Sequence, residues 1–328
     1  MSDTIDIKSI DDLIIETRRK FRDLVAANPD LFALFGGFDN PRIEHTIGVK
    51  AAFGTIGVPQ GIDTSTTQGL MRGVDLTLLD KNASFREVEA IAVRAVKENA
   101  ATVCVYPQHV ATVWAVTGGR PAPIAVVGFP SVAKADLYQC FITQMPEIAA
   151  IQRGAKEIDM VLPQNFKDGK PDYVAHYDYI SGIVCRAHKI PVKVILETSY
   201  LTDAQKVEAC MIAKMAGARF VKTATGFAQD DLMRPGLTEA QKGANPYDVA
   251  LMRRAVGDTT LDDEGNVVPM GVKASWRVRD RKQVIALYQA GASRIGASGS
   301  IDLRSESEKA LRPVSGKKPV PSSNALKY

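Results

Sequence analysis

The sequence predicts an α/β protein folded as a (β/α)₈ TIM barrel, and three observations carry that prediction. Eight short apolar runs alternate with longer amphipathic stretches between residues 70 and 303. The runs are nearly continuous in Val, Ile and Leu, as expected of strands covered on both faces in a parallel sheet. The segment they occupy is close to the ~250 residues typical of this barrel. A doubly wound open sheet is the rival. It calls for a glycine-rich turn after the first strand, and GVDLTLLDKNAS contains no GxGxxG.

In chain order, Ile10, Leu13, Ile14, Phe21, Leu24 and Val25 recur at helical spacing, so a single amphipathic helix is expected from about Ser9 to Ala27. Residues 29–68 are rich in Gly, Pro and Thr, keep no period, and read as an irregular extension. The strands follow as GVDLTLL (73–79), TVCVY (102–106), IAVVGF (124–129), EIDMVL (157–162), VKVILE (192–197), RFVKTAT (219–225), MGVKAS (270–275) and RIGAS (294–298). Helical spacing marks 85–100, 137–155, 203–218 and 278–292. In QRGAKEI, MAGARF and QAGASRI a glycine ends a helix two or three residues before a strand, the usual helix C-terminal signal. The chain therefore divides into an N-terminal helical and irregular extension (1–69), the barrel (70–303) and a tail (304–328).

Charge and composition narrow the function. Lys plus Arg number 41 against 37 Asp plus Glu, a net charge of +4. From Arg304 to Tyr328 there are six basic and two acidic residues, so that excess belongs to the tail and the body up to Leu303 is neutral. With 7% aromatic residues and no basic patch in the body, nucleic acid is not an expected partner. Cys104, Cys140, Cys185 and Cys210 form no CxxC, which suits reduced thiols in the cytoplasm. The N-terminus has no signal-peptide pattern and no run is long enough to span a membrane. His45, His109, His176 and His188 form no HxH, HxxxH or HExxH pair, so neither a metal nor another cofactor is expected.

In such a barrel, chemistry belongs at the C-terminal ends of the strands, so charges placed late in apolar runs are the candidates. Lys222 lies in FVKTAT between apolar neighbours, where an ammonium needs a partner or a depressed pKa. Lys273 repeats the pattern in GVKAS one strand later. Two lysines at one height on adjacent strands, roughly 5 Å apart, would repel, and the resulting neutral amine could form a Schiff base. Asp159 in EIDMVL supplies a carboxylate for proton transfer. Lys193 lies early in VKVILE, toward the opposite rim, and reads as structural, with Glu197 the rival charge in the same run.

FVKTATGF resembles the Schiff-base lysine motif of deoxyribose-phosphate aldolase, a class I aldolase. GVDLTLL, VCVYP, EIDMVLP, VKVILET, GVK followed by VRD, and RIGAS resemble that family's other strand motifs, in its order, over roughly residues 70–300. The resemblance implies Lys222 as the imine-forming nucleophile, Lys273 as the neighbouring cation and Asp159 as the acid/base group. It implies reversible cleavage of 2-deoxyribose 5-phosphate to acetaldehyde and glyceraldehyde 3-phosphate. Asp75, Thr77, Leu79, Cys104, Thr225, Gly226, Ser298 and Gly299 would line the substrate site, although Cys104 reads equally well as a small buried hydrophobe.

The departures concern the phosphate. The family usually has KTSTGK and GFKPAGG or GVKPAGG, whereas this chain has KTATGF and GVKASWR. Phe227 replaces a lysine, Trp276 adds bulk where a bare backbone is usual, and Arg277 offers a replacement charge. The expectation is aldolase chemistry with an altered distal end of the acceptor. Alternatives are a non-phosphorylated acceptor, a barrel that binds a phosphosugar without turnover, and a metal-dependent aldolase, for which no His and carboxylate cluster is visible. Some relatives carry a C-terminal tyrosine that reaches the site, which makes Tyr328 a candidate against the reading of a solvated tail. A homo-oligomer is expected, with the N-terminal helix and extension as its contact elements.

Overall fold

The computed structural model describes residues 5–35, 37, 40–48, 51–169, 171–262 and 264–311. The chain begins with helix α1 (Ile7–Ala27), capped by the Asp6 carboxylate, which accepts from the Ser9 N–H. Eight parallel strands then close into a barrel: β1 (Val74–Leu78), β2 (Thr102–Val105), β3 (Ala122–Val127), β4 (Glu157–Val161), β5 (Val192–Ile195), β6 (Phe220–Lys222), β7 (Gly271–Ser275) and β8 (Arg294–Ser298). The order is sequential, and β1 closes the ring by pairing with both β2 and β8.

Helices fill the crossovers: α2 (Phe85–Glu98), α3 (Val110–Thr117), α4 (Leu137–Gln152), α5 (Tyr173–Ala187), α6 (Asp203–Met215), α7 (Pro246–Val256) and α8 (Arg281–Gln289). Capping boxes start two of them, Ser84 with Glu87 on α2 and Thr202 with Gln205 on α6. The three glycines expected to end helices, Gly154, Gly217 and Gly291, all adopt positive φ.

The extension differs from its expected irregularity. It contains short helices at Pro29–Leu34, Pro41–Ile47 and Thr67–Met71. The first two begin with proline behind an asparagine whose side chain caps the helix, so the same residues that suggest a loop start these helices. Helix α1 buries Ile10, Ile14, Phe21 and Val25 and packs on α6 and α7. Polar contacts seal the seam: Arg18 donates to the carbonyls of Ala51 and Ala255, and Arg254 to the Asp11 carboxylate at 2.5 Å.

A hairpin between α7 and β7, Thr259–Leu261 with Val267–Pro269, has no counterpart in the expected elements. The segment read as a tail starts with a helix, Glu306–Leu311, whose Glu308 carboxylate accepts from the Thr67 hydroxyl at 2.7 Å. Tyr328 lies outside the described residues. Among the described residues, no helix is long and apolar enough to cross a membrane.

Candidate active site

Side chains alternate along each strand, so every second residue enters the barrel. That places Asp75 (β1), Glu157 and Asp159 (β4), Lys193 (β5), Lys222 (β6), Lys273 (β7) and Arg294 (β8) inside, where they pair with one another across the interior. Lys222 and Lys273 are register partners on adjacent strands, the same-height pair expected from sequence. One carboxylate oxygen serves both: Asp159 Oδ2 accepts from Lys222 Nζ at 2.9 Å and from Lys273 Nζ at 2.8 Å. The other oxygen, Oδ1, lies 3.1 Å from Lys193 Nζ.

The network continues below. Lys273 also pairs with Asp75 Oδ2 at 2.8 Å, and Asp75 Oδ1 accepts from Arg294 at 2.8 Å and from the Thr102 hydroxyl at 2.6 Å. Arg294 reaches across to Glu157, which also holds Lys193. The Phe220 ring closes the barrel beneath, with Lys193 Nζ 5.4 Å and Arg294 Cζ 5.5 Å from its centroid.

Asp159 is completely buried, and burial alone would raise its pKa. The positive charges of Lys193, Lys222 and Lys273 overcome this and hold it well below the usual carboxylate range. Burial likewise opposes the Lys273 ammonium, and the charges of Asp159 and Asp75 outweigh it, so Lys273 is raised above an ordinary lysine. Lys273 is therefore a fixed cation beside Lys222, and the two lysines share the Asp159 carboxylate.

Above this network, Lys222 opens into a pocket lined by Thr77, Leu79, Thr225, Gly226, Ser275, Trp276, Arg277, Val278, Gly296, Ala297 and Ser298. Three residues expected in its wall lie elsewhere. Asp75 is fully buried one layer deeper, within the ion network. Cys104 is buried among Leu79, Tyr106, Ile124 and Val126, and burial raises its thiol pKa, consistent with a small hydrophobe. Gly299 turns toward α2, where an added Cβ would meet Ile91 at 2.9 Å. Arg277 lines the pocket, but its guanidinium donates to the Glu239 carboxylate at 2.5 Å and stacks 4.9 Å from the Trp276 ring.

Ser275, Val278, Gly296 and Ala297 line the pocket without having been anticipated. Gly296 carries a legible signal, as a glycine inside a strand often marks close approach. An added Cβ there would come within 2.9 Å of Ser275 and 3.1 Å of Lys273.

Trp276 and Arg277 have φ of 78° and 58°, left-handed values that ordinarily favour glycine. Phe227 meets Phe129 edge to face at 5.2 Å, and Phe129 meets Tyr106 in the same way at 5.9 Å. This aromatic row covers the apolar cluster around Cys104 at the barrel mouth. Among the described residues, no group of three or more His, Cys, Asp or Glu is placed to hold a metal ion.

Comparison with known proteins gives one consistent result. The profile of the DeoC/LacD family aldolases matches residues 69–308. The chain is 38% identical to the deoxyribose-phosphate aldolase of Thermoanaerobacter pseudethanolicus over 236 residues, covering 71% of this chain and 94% of that protein. It is also 38% identical to that of Clostridium tetani, over 73% and 99% of the two chains. Among solved structures, the tetrameric deoxyribose phosphate aldolase of Aeropyrum pernix superposes with a TM-score of 0.58 at 26% identity, covering 73% of this chain and 92% of that one. QR15, an aldolase, gives 0.58 at 27% identity, with 71% and 93% covered.

Removing the Asp159 carboxylate leaves three buried ammoniums, of which Lys193 retains Glu157 and Lys273 retains Asp75. Asp159→Ala is expected to cost about 3–5 kcal/mol in urea unfolding, the usual penalty for breaking a buried ion pair. Because the folded-state pKa of Asp159 is depressed, its contribution is complete above about pH 4, the unfolded value, and is lost as pH falls further. An unfolding midpoint equal to wild type at neutral pH would show that the shared carboxylate does not hold the interior together.

Proposed function

Since the chain belongs to the DeoC/LacD family of aldolases and is a carbon–carbon lyase, we propose that it is a class I enzyme that cleaves 2-deoxyribose 5-phosphate reversibly through a Schiff base on Lys222. The observation that carries this reading is the placement of Lys222. It lines the pocket above the ion network, 2.9 Å from the Asp159 carboxylate.

In the synthetic direction Asp159 accepts a proton from the Lys222 ammonium, and the freed amine attacks the acetaldehyde carbonyl. Proton return to the carbinolamine oxygen expels water and leaves the iminium. Asp159, ionised again, takes a proton from the adjacent methyl carbon to give the enamine, which attacks the aldehyde carbon of glyceraldehyde 3-phosphate; the new carbon–carbon bond forms as the aldehyde oxygen receives that proton. Hydrolysis then releases the sugar and restores Lys222. While Asp159 carries a proton, the Lys273 ammonium keeps its pairing with Asp75. The four cysteines are all free, which suits a reducing cytoplasm.

A second reading is favoured at the distal end of the acceptor. Phe227 stands in an aromatic row and Arg277 is engaged by Glu239, so neither side chain offers the pocket an uncommitted charge. Gly226 and Ser298 still line the pocket and can supply backbone donors to a phosphate. Steady-state cleavage of 2-deoxyribose 5-phosphate and of 2-deoxyribose separates the two cases. A strong preference for the phosphorylated sugar supports the first reading, and comparable rates support a non-phosphorylated acceptor. In either case Lys222→Ala abolishes turnover and Asp159→Asn lowers kcat by about 10²–10⁴. Turnover by Lys222→Ala at the wild-type rate would refute both.

We also infer a homo-oligomer, with α4 rather than the N-terminal extension as its contact surface. Helix α1 spends its apolar face inside the chain, whereas α4 exposes Leu137, Tyr138, Phe141, Ile142 and Met145. Its sixteen residues contain one charged side chain, Glu147, which is buried. An uncharged apolar face suits pairing with its own copy about a twofold axis. The tetrameric Aeropyrum pernix relative is consistent with self-association in this family. Phe141→Glu should convert the oligomer to monomer by light scattering with the fold retained; a monomeric wild type, or an unchanged mass in the variant, would exclude this surface.

A further inference from the structure

Beyond the end of β5 the ladder to β6 continues irregularly. The Leu196 N–H donates to the Lys222 carbonyl at 2.8 Å and the Thr198 N–H to the Thr223 carbonyl at 2.9 Å, so two steps on one side face one on the other. The extra residue is Glu197, with φ 55° and ψ 63°. This is a β-bulge in the left-handed conformation usually taken by glycine, and a residue with a Cβ adopts it only under strain. Strained backbone of this kind concentrates at functional sites.

The bulge carries the Glu197 carboxyl into the barrel mouth, where it is 6% exposed. Glu197 Oε2 accepts from the Thr225 N–H at 3.2 Å and from the Thr225 hydroxyl. Thr225 Oγ1 in turn accepts from the Phe227 N–H at 3.0 Å. Thr225 and Gly226 are wall residues of the Lys222 pocket, and Phe227 belongs to the aromatic row. One carboxyl thus fixes the loop that directly follows the nucleophile. Its other oxygen, Oε1, is buried without a hydrogen-bond partner among the described residues. Glu197 also borders a second cavity, of about 40 Å³, which includes Gln164, Lys167, Tyr200 and Gln229 and has room for ordered water.

We propose that Glu197 is a positioning residue for this aldolase, holding Thr225 and the Gly226–Phe227 segment in register with Lys222, and that the strained bulge is kept because it aims the carboxyl there. The proposal rests on Lys222 being the nucleophile. Burial pushes the Glu197 carboxyl up to about 7, against the Thr225 hydrogen bonds and the charge of Lys222. Among the described residues, Tyr200, three residues along its own segment, also interacts with its charge, and Lys167, from the loop after β4, lines the same cavity. Ionised Glu197 is the stronger acceptor for both Thr225 donors. The loop therefore tightens as pH rises through about 7, and activity gains a rising limb there.

The test compares Glu197→Gly, Glu197→Ala and Glu197→Gln in the full chain by thermal unfolding, kcat and KM against pH, and borohydride trapping of acetaldehyde on Lys222. Glu197→Gly removes the carboxyl and relieves the backbone. It should unfold no earlier than wild type, still be trapped on Lys222, and lose about 10²-fold in kcat from a misplaced loop. Glu197→Gln, which keeps an acceptor for Thr225, should recover most of the rate without the limb near pH 7. A wild-type kcat in Glu197→Gly with trapping intact would overturn the proposal. So would rate losses in all three variants that simply follow their unfolded fractions. If wild type itself is not trapped on Lys222, the underlying assignment of the nucleophile fails instead.

Discussion

The structure turns on one buried carboxylate shared by three ammoniums. Asp159 has no access to water, and Lys193, Lys222 and Lys273 each place a nitrogen within about 3 Å of it. A charge in that position is tolerable only when it is paired, and each lysine needs the same relief. The remaining charges extend the network: Asp75 supports Lys273, Glu157 supports Lys193, and Arg294 joins the two acids across the barrel. The result is a polar interior in which Lys222 alone of the three lysines borders the pocket.

This explains why so much of the site was legible in the sequence. A charge inside an otherwise apolar run is conspicuous, and Lys222, Lys273 and Asp159, which the fold brings together, all stand out on that signal. The early position of Lys193 in its run likewise matches its place low in the network. What was not legible is depth. Asp75 and Cys104 lie on the inward face of their strands, as a pocket residue would, but only the closed register shows that Asp75 sits a layer below the pocket and Cys104 within the apolar cluster beside it. Glu197 stood out as a charge in VKVILE, yet its role depends on a bulge that no pattern in the sequence reveals. The short helices of the extension were hidden for a related reason, since Asn-Pro pairs that start helices also occur in loops.

The altered loops combine left-handed backbone with bulky side chains. The GVKASWR segment lacks the glycines usual in the family it resembles, but Trp276 and Arg277 still take left-handed φ values. The Trp276 carbonyl accepts from the Ala244 N–H at 3.1 Å, and Arg277 binds both the carbonyl and the carboxylate of Glu239. The long connection between β6 and α7 is therefore laced to the loop after β7. The backbone at Trp276 and Arg277 takes a conformation glycine favours, while the Arg277 side chain is occupied with holding one loop to the other.

The most direct measurement of the central claim is peptide mapping after borohydride reduction in the presence of acetaldehyde. Three lysines share Asp159, and the account assigns covalent chemistry to one. It predicts a two-carbon adduct confined to the peptide containing Lys222, with Lys193 and Lys273 unmodified. An adduct on Lys193 or Lys273, or none on any of the three, would contradict it.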